Sequence, residues 1–191
     1  MNTSVNLMLI LLVILCLSFS ASGCKSQIES GTGGSVCRPW SDICALGYEN
    51  ALKYRDREIP AYKLVITLST LSGQERIEFL QGFKKAYNDA YDGPVGQEYA
   101  DILKRSLEGG YYEQAIEQGK KYVIGEITDA RIQELISNSV GLSRGSDLGW
   151  KAGYIAGFAQ EMVKKMPRFD EEHFYQQAET KYNALRGPLG V

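Results

Sequence analysis

The sequence predicts an all-α fold: a single compact helical domain of about seven or eight helices, behind a leader and a flexible tether. Three observations carry that prediction. Apolar residues recur at three- and four-residue spacing beyond residue 41, without the sustained alternation that marks strands. Start and stop signals punctuate this pattern at short intervals, with Ser, Thr or Asp before a run and Gly or Pro after it. A template of small residues four apart, each followed by an apolar or aromatic one, recurs four times.

The chain opens with the uncharged stretch Met1 to Asn6 and then runs apolar from Leu7 to Leu17, with Phe19 just beyond. A bilayer span needs about 20 apolar residues, whereas the apolar core of a signal peptide needs about 7–15. Small residues follow at once, Ser20, Ala21, Ser22 and Gly23, and then Cys24. Ordinary signal peptidase cleavage also wants small residues, but it gives no role to a cysteine placed directly after them. From Lys25 to Val36 the chain is polar and rich in Gly and Ser, the composition of a flexible coil. The expected organisation is therefore a leader at 1–23, a tether at 24–36 and a helical domain at 37–191.

Ser41 is placed to cap a helix running through Cys44, Gly47, Tyr48, Ala51 and Leu52 to about Arg57. Pro60 opens a segment from Ala61 to Leu71. Ser72 and Glu75 form a capping box for a helix from Gly73 to about Tyr91, which Asp92-Gly93-Pro94 stops. Gln97 to Glu108 is a shorter helix closed by Gly109-Gly110, and Tyr111 to Gly125 follows. Thr128 caps Asp129 to about Val140, and Ser146-Asp147 caps a helix through Met166, ended by Pro167. Asp170 caps the last helix, Glu171 to about Leu185.

The template reads Phe79-x-x-Gly82-Phe83-x-x-Ala86-Tyr87 and, position for position, Trp150-x-x-Gly153-Tyr154-x-x-Gly157-Phe158. Tyr112-x-x-Ala115-Ile116-x-x-Gly119 fits it, and Cys44-x-x-Gly47-Tyr48-x-x-Ala51-Leu52 fits more loosely. Spacing of four puts the small residues on one helical stripe. Glycine inside a helix costs about 1 kcal/mol relative to alanine, so close helix packing or a binding groove must offset it, and packing is the favoured account. Trp150, Tyr154 and Phe158 are the candidates for a contact ridge, because tyrosine and tryptophan enrich at interfaces.

Four cysteines are present. Cys16 leaves with the leader and Cys24 has a separate role, so Cys37 and Cys44 remain as a pair, expected to form a disulfide in an oxidising compartment. So short a bridge contributes about 2–3 kcal/mol. The only histidine, His173, lies far from both in sequence, and zinc wants four ligands, so no metal and no cofactor are expected. The formal charge of −2, with Lys and Arg scattered among Asp and Glu, gives no footprint for nucleic acid. No phosphate-binding, metallopeptidase or serine-hydrolase motif stands in a fitting context. Gly141-Leu142-Ser143-Arg144-Gly145 has the form of a nucleophile elbow, but that elbow needs a strand before the serine. Asp56, Glu58 and Asp101 read as solvated ion pairs. No catalytic residue and no enzymatic activity are expected.

Ala21-Ser22-Gly23-Cys24 resembles the lipobox of bacterial lipoproteins, with Ala21 where leucine is usual and no Lys or Arg in the leader. The resemblance implies lipidation of Cys24 and attachment to a membrane through its acyl chains, two or more of which hold stably. Lys25 after the cysteine implies the outer membrane, facing the periplasm or the cell surface. Gly110-Tyr111-Tyr112-Glu113-Gln114-Ala115-Ile116 resembles part of a tetratricopeptide repeat, whose other signatures do not recur. Across roughly Tyr48 to Leu185 the chain resembles the small entry-exclusion lipoproteins of colicin-type mobilisable plasmids, carried by the leader with Cys24, by Glu78-Phe79-Leu80-Gln81-Gly82-Phe83 with Ala86-Tyr87, and by Gly149 to Phe158. That family implies a lipid-anchored, non-enzymatic factor that lowers conjugative uptake of a related plasmid, with an envelope or conjugation-apparatus protein as partner. The alternatives are a helical scaffold or pilot lipoprotein for an envelope assembly, and a helical cell-wall hydrolase.

Overall fold

The computed structural model describes residues 41–90, 95–140 and 143–187, all within one compact unit with a continuous core. Cys24, Cys37 and the expected leader and tether lie outside the described residues. Eight helices are present among them: α1 (Asp42–Arg55), α2 (Ala61–Ser69), α3 (Gly73–Ala90), α4 (Val95–Ser106), α5 (Tyr111–Val123), α6 (Asp129–Val140), α7 (Arg144–Lys165) and α8 (Glu171–Arg186).

Local chemistry sets most boundaries. Ser41 Oγ accepts the Cys44 N–H at 3.2 Å, Thr128 Oγ1 that of Arg131 at 3.4 Å, and Asp170 Oδ1 that of His173 at 3.0 Å, each satisfying an orphan donor of a first turn. Glu75 reaches back to the Ser72 N–H at 2.8 Å, half of the capping box. The start of α7 corrects the expectation. Ser143, not Ser146-Asp147, is its cap, accepting the Ser146 N–H at 3.3 Å. Gly145 therefore lies inside the helix rather than in a loop.

The four template segments fall on α1, α3, α5 and α7, and they pair two and two. The carbonyl of Tyr112 lies against Gly153 and that of Ile116 against Gly157, so α5 and α7 run in the same sense. A Cβ built on Gly153 would stand 2.2 Å from the Tyr112 oxygen, and one on Gly157 would stand 2.0 Å from the Ile116 oxygen. The contact is returned by Gly119, 2.3 Å from the Tyr154 oxygen on the same construction. In α1 and α3 the relation is reciprocal: a Cβ built on Gly47 would stand 2.0 Å from the Phe79 oxygen, and one on Gly82 2.0 Å from the Cys44 oxygen. Ser41 donates to Glu78 at 2.6 Å and Tyr48 to Asp89 at 3.4 Å, so this pair also runs in one sense. By contrast, α3 and α5 make no extended contact.

The pairing exposes a repeated segment. The segment Lys53-Tyr54-x-x-x-Glu58-Ile59 that ends α1 returns as Lys121-Tyr122-x-x-x-Glu126-Ile127 at the end of α5. Both turns close with the same bonds, Glu58 N–H to Lys53 O at 2.8 Å and Glu126 N–H to Lys121 O at 2.9 Å. Both place one residue in the left-handed region, Arg57 at φ 62° and Gly125 at φ 80°, an arrangement that caps a helix C-terminus. Packing follows the same rule in each half: α1 on α3 and α3 on α4, then α5 on α7 and α7 on α8. Within one compact unit, the described helices thus repeat one order of pairings in two sets of four, α1–α4 (the first unit) and α5–α8 (the second unit).

α7 joins them. Its glycines at 145, 149, 153 and 157 make one stripe, the first two against α4 at Arg105 and Ser106, the last two against α5. α8 returns antiparallel along it, with Trp150 beside Tyr182, Lys151 on Glu179 and Asp147 on Arg186. α2 lies across it as well.

An alanine methyl at Gly82 or Gly153 would have to push a backbone carbonyl away, and backbone cannot give locally. Gly82→Ala and Gly153→Ala should each lower stability by about 1–3 kcal/mol in urea unfolding, despite the roughly 1 kcal/mol favouring alanine in a helix. Gly73→Ala, where nothing lies within 4 Å, should be neutral or stabilising. Wild-type stability in all three would contradict the close approach.

Candidate functional site

Trp150, Tyr154 and Phe158 do not form a contact ridge. They are 4%, 0% and 6% exposed and belong to the core. The physical reason is that α7 is covered by α2, α4, α5 and α8, so both its small and its aromatic stripe face protein. Trp150 stacks on Tyr154 at 6.2 Å, and Phe158 on Tyr122 at 6.3 Å. Cys44 is also buried, at the α1–α3 contact.

The polar arrangement that the fold does assemble is a seam of α2, α5, α7 and α8. Lys151 is mostly buried, its ammonium 2.7 Å from Glu179 and above the rings of Tyr62 at 5.6 Å and Tyr182 at 5.9 Å. Lys63 pairs with Glu172, Tyr175 donates to Glu171 at 3.3 Å, and Tyr112 and Ser69 share a hydrogen bond of 2.8 Å. Arg76 donates to the carbonyls of Leu68 and Ser69, both at 3.1 Å, tying the end of α2 to α3. Burial pushes the Tyr62 phenol far up, and Glu179 pushes it further. Burial and then Glu171 do the same for Tyr175, and burial raises Tyr112. These phenols stay protonated at any physiological pH and serve in the seam as hydrogen-bonding groups and packing surfaces. The seam fastens α2 and α8 to α7. Sequence reasoning missed it because its members lie on four separate helices with no shared spacing.

The residues of the elbow-like segment are also accounted for. Ser143 caps α7, while His173 stacks on Phe169 at 4.1 Å at the start of α8. Between them α7 runs its 22 residues, roughly 33 Å of helix, far beyond hydrogen-bond reach. Asp56 pairs with Arg55 at 2.8 Å, the solvated ion pair expected of it, whereas Asp101 accepts from the neutral amide of Gln97 at 2.7 Å. Among the described residues no cluster of His, Cys, Asp or Glu is placed to hold a metal ion, and no helix is long and apolar enough to cross a membrane. An open groove between α4 and the start of α7 is lined by Gln97, Glu98, Asp101, Ile102, Arg105 and Arg144, with Arg144 4.0 Å from Glu98. Its charges are mixed and solvated. No family model, curated protein or solved structure matches the chain.

Tyr182 is fully buried, and its hydroxyl has no protein partner, though Asp147 and Arg186 lie near. Tyr182→Phe should therefore be neutral or stabilising. Tyr112→Phe, which removes the bond to Ser69, should cost about 1 kcal/mol. Chemical denaturation of the two variants checks the order. A cost at Tyr182 equal to that at Tyr112 would contradict it.

Proposed function

We propose that the chain is an envelope lipoprotein that works by binding and not by turnover: a plasmid entry-exclusion factor that lowers conjugative uptake of related plasmids. The observation that carries the reading is Cys24 set directly after Ala21-Ser22-Gly23, at the end of an apolar run too short to span a bilayer. Acylation there holds the domain on a membrane, with the polar segment Lys25–Val36 as its leash. A bridge between Cys37 and Cys44 belongs to the same proposal and would join the end of that leash to α1. The helical body supports a binding role: its glycine and aromatic stripes serve packing, and its one elbow-like serine caps a helix remote from the only histidine.

Recipient cells tested in matings with a related conjugative plasmid separate the possibilities. Expression of the wild-type chain should lower uptake, and Cys24→Ser should abolish both that effect and the incorporation of labelled palmitate. Equal uptake with and without the chain would remove the exclusion role, leaving a scaffold or pilot lipoprotein or a helical cell-wall hydrolase. Palmitate labelling that survives Cys24→Ser would remove the anchor.

A further inference from the structure

The two equivalent helix-end turns differ in a way the fold does not require. In the first unit the turn is Arg55-Asp56-Arg57, and its outward side chains form an exposed ion pair. In the second the same positions hold Val123, Ile124 and Gly125, and Ile124 is 46% exposed, one of three large apolar side chains so placed among the described residues. Since the first unit closes the identical turn with charged residues, the turn itself does not need an apolar side chain in water. Several cations gather near Ile124. Lys165 at the end of α7 donates to the Val123 carbonyl at 2.6 Å, which places that end beside the turn. Lys121, Lys164 and Arg168 are exposed there or in the adjoining residues, with Met166 and Phe169 half-buried among them. The acids in these segments are largely engaged: Glu117 pairs with Lys120, Glu161 with Lys164, Asp170 caps the His173 N–H, Glu171 accepts from Tyr175 and Glu172 pairs with Lys63, while Glu126 is exposed.

We propose that this end of the domain, Ile124 with Lys121, Lys164, Lys165 and Arg168, docks on an anionic phospholipid surface. Cations at a helix C-terminus complement its dipole, which explains some lysines here, but it explains neither the isoleucine nor Arg168 beyond α7. An exposed apolar tip with cations beside it fits a bilayer interface: the tip enters the headgroup boundary and the cations meet its negative potential. The contact would be shallow and weak by itself, and it would orient a domain already held at the membrane. It extends the anchored reading without resting on it, because it predicts binding in the absence of any acyl chain.

Residues 36–191, the compact unit that contains all described helices, should therefore sediment with vesicles containing phosphatidylglycerol, and not with vesicles of phosphatidylcholine alone. High salt should release the protein. Lys121→Gln and Arg168→Gln should each weaken binding about fivefold, and Ile124→Ser should weaken it while leaving the salt dependence unchanged. Arg57→Gly, at the equivalent turn of the first unit, should bind as wild type. Circular dichroism identifies any variant that fails to fold. Absence of binding to anionic vesicles, equal binding to both lipids, or an equal loss in Arg57→Gly would overturn the docking end while leaving the lipid anchor at Cys24 untouched.

Discussion

The carbonyl oxygens of Cys44, Phe79, Ser106, Tyr112 and Ile116 each lie against a glycine of a facing helix, so near that a single methyl would occupy the same space. Such approach is available only where no Cβ intervenes, and it fixes the axial position of each pair as well as its distance. A glycine weakens its own helix by about 1 kcal/mol, and the stripe recovers this through continuous dispersion contact along both backbones. The aromatic residues beside each stripe follow from it. With the axes this near, the rings of Phe83, Tyr87, Tyr154 and Phe158 fill the flanking furrows, where Phe83 stacks on Tyr87 at 5.2 Å and Tyr154 packs at 6.3 Å from Phe158.

One motif therefore builds both units, but the units are not equal. α3 holds α1 on Gly82, whereas α7 carries its stripe two turns further towards its N-terminus and seats α4 there as well. That extension of Gly145 and Gly149 attaches the first unit to the second, and the polar seam around Lys151 closes the join from the α2 side. The seam suits a join more than a reaction centre. Its cation is matched by a carboxylate and two rings, and its phenols are held protonated.

Much of this was legible in the sequence. The caps at Ser41, Ser72, Thr128 and Asp170 and the breaks at Gly109-Gly110 and Pro167 are local signals, and local backbone chemistry decided them. The template was legible as packing, though not its two-and-two pairing, which depends on which helices meet across the core. The cap expected at Ser146-Asp147 lies one turn too late because Ser143 offers the same chemistry, and the expected contact ridge of Trp150, Tyr154 and Phe158 fails because it takes α7 as a helix with one wet face. From Gly149 to Ala159 the only charged residue is Lys151, a composition that already marks a helix buried nearly all round. The repeated Lys-Tyr-x-x-x-Glu-Ile was likewise visible, and it marks the equivalent helix ends more directly than the looser template does. The seam was not legible, since its partners are up to 109 residues apart.

If close backbone contact along α7 holds the molecule together, α7 must be the last element to open. Native-state amide hydrogen exchange measures this directly. The account predicts that the amides of residues 150–159 exchange only through global unfolding, at the full free energy found by denaturation. Those of α6, attached chiefly through Ile132, Ile136 and Ser139, should exchange faster through local opening. Exchange of residues 150–159 as fast as that of α6 would contradict the account and return the glycine stripe to the status of an open groove.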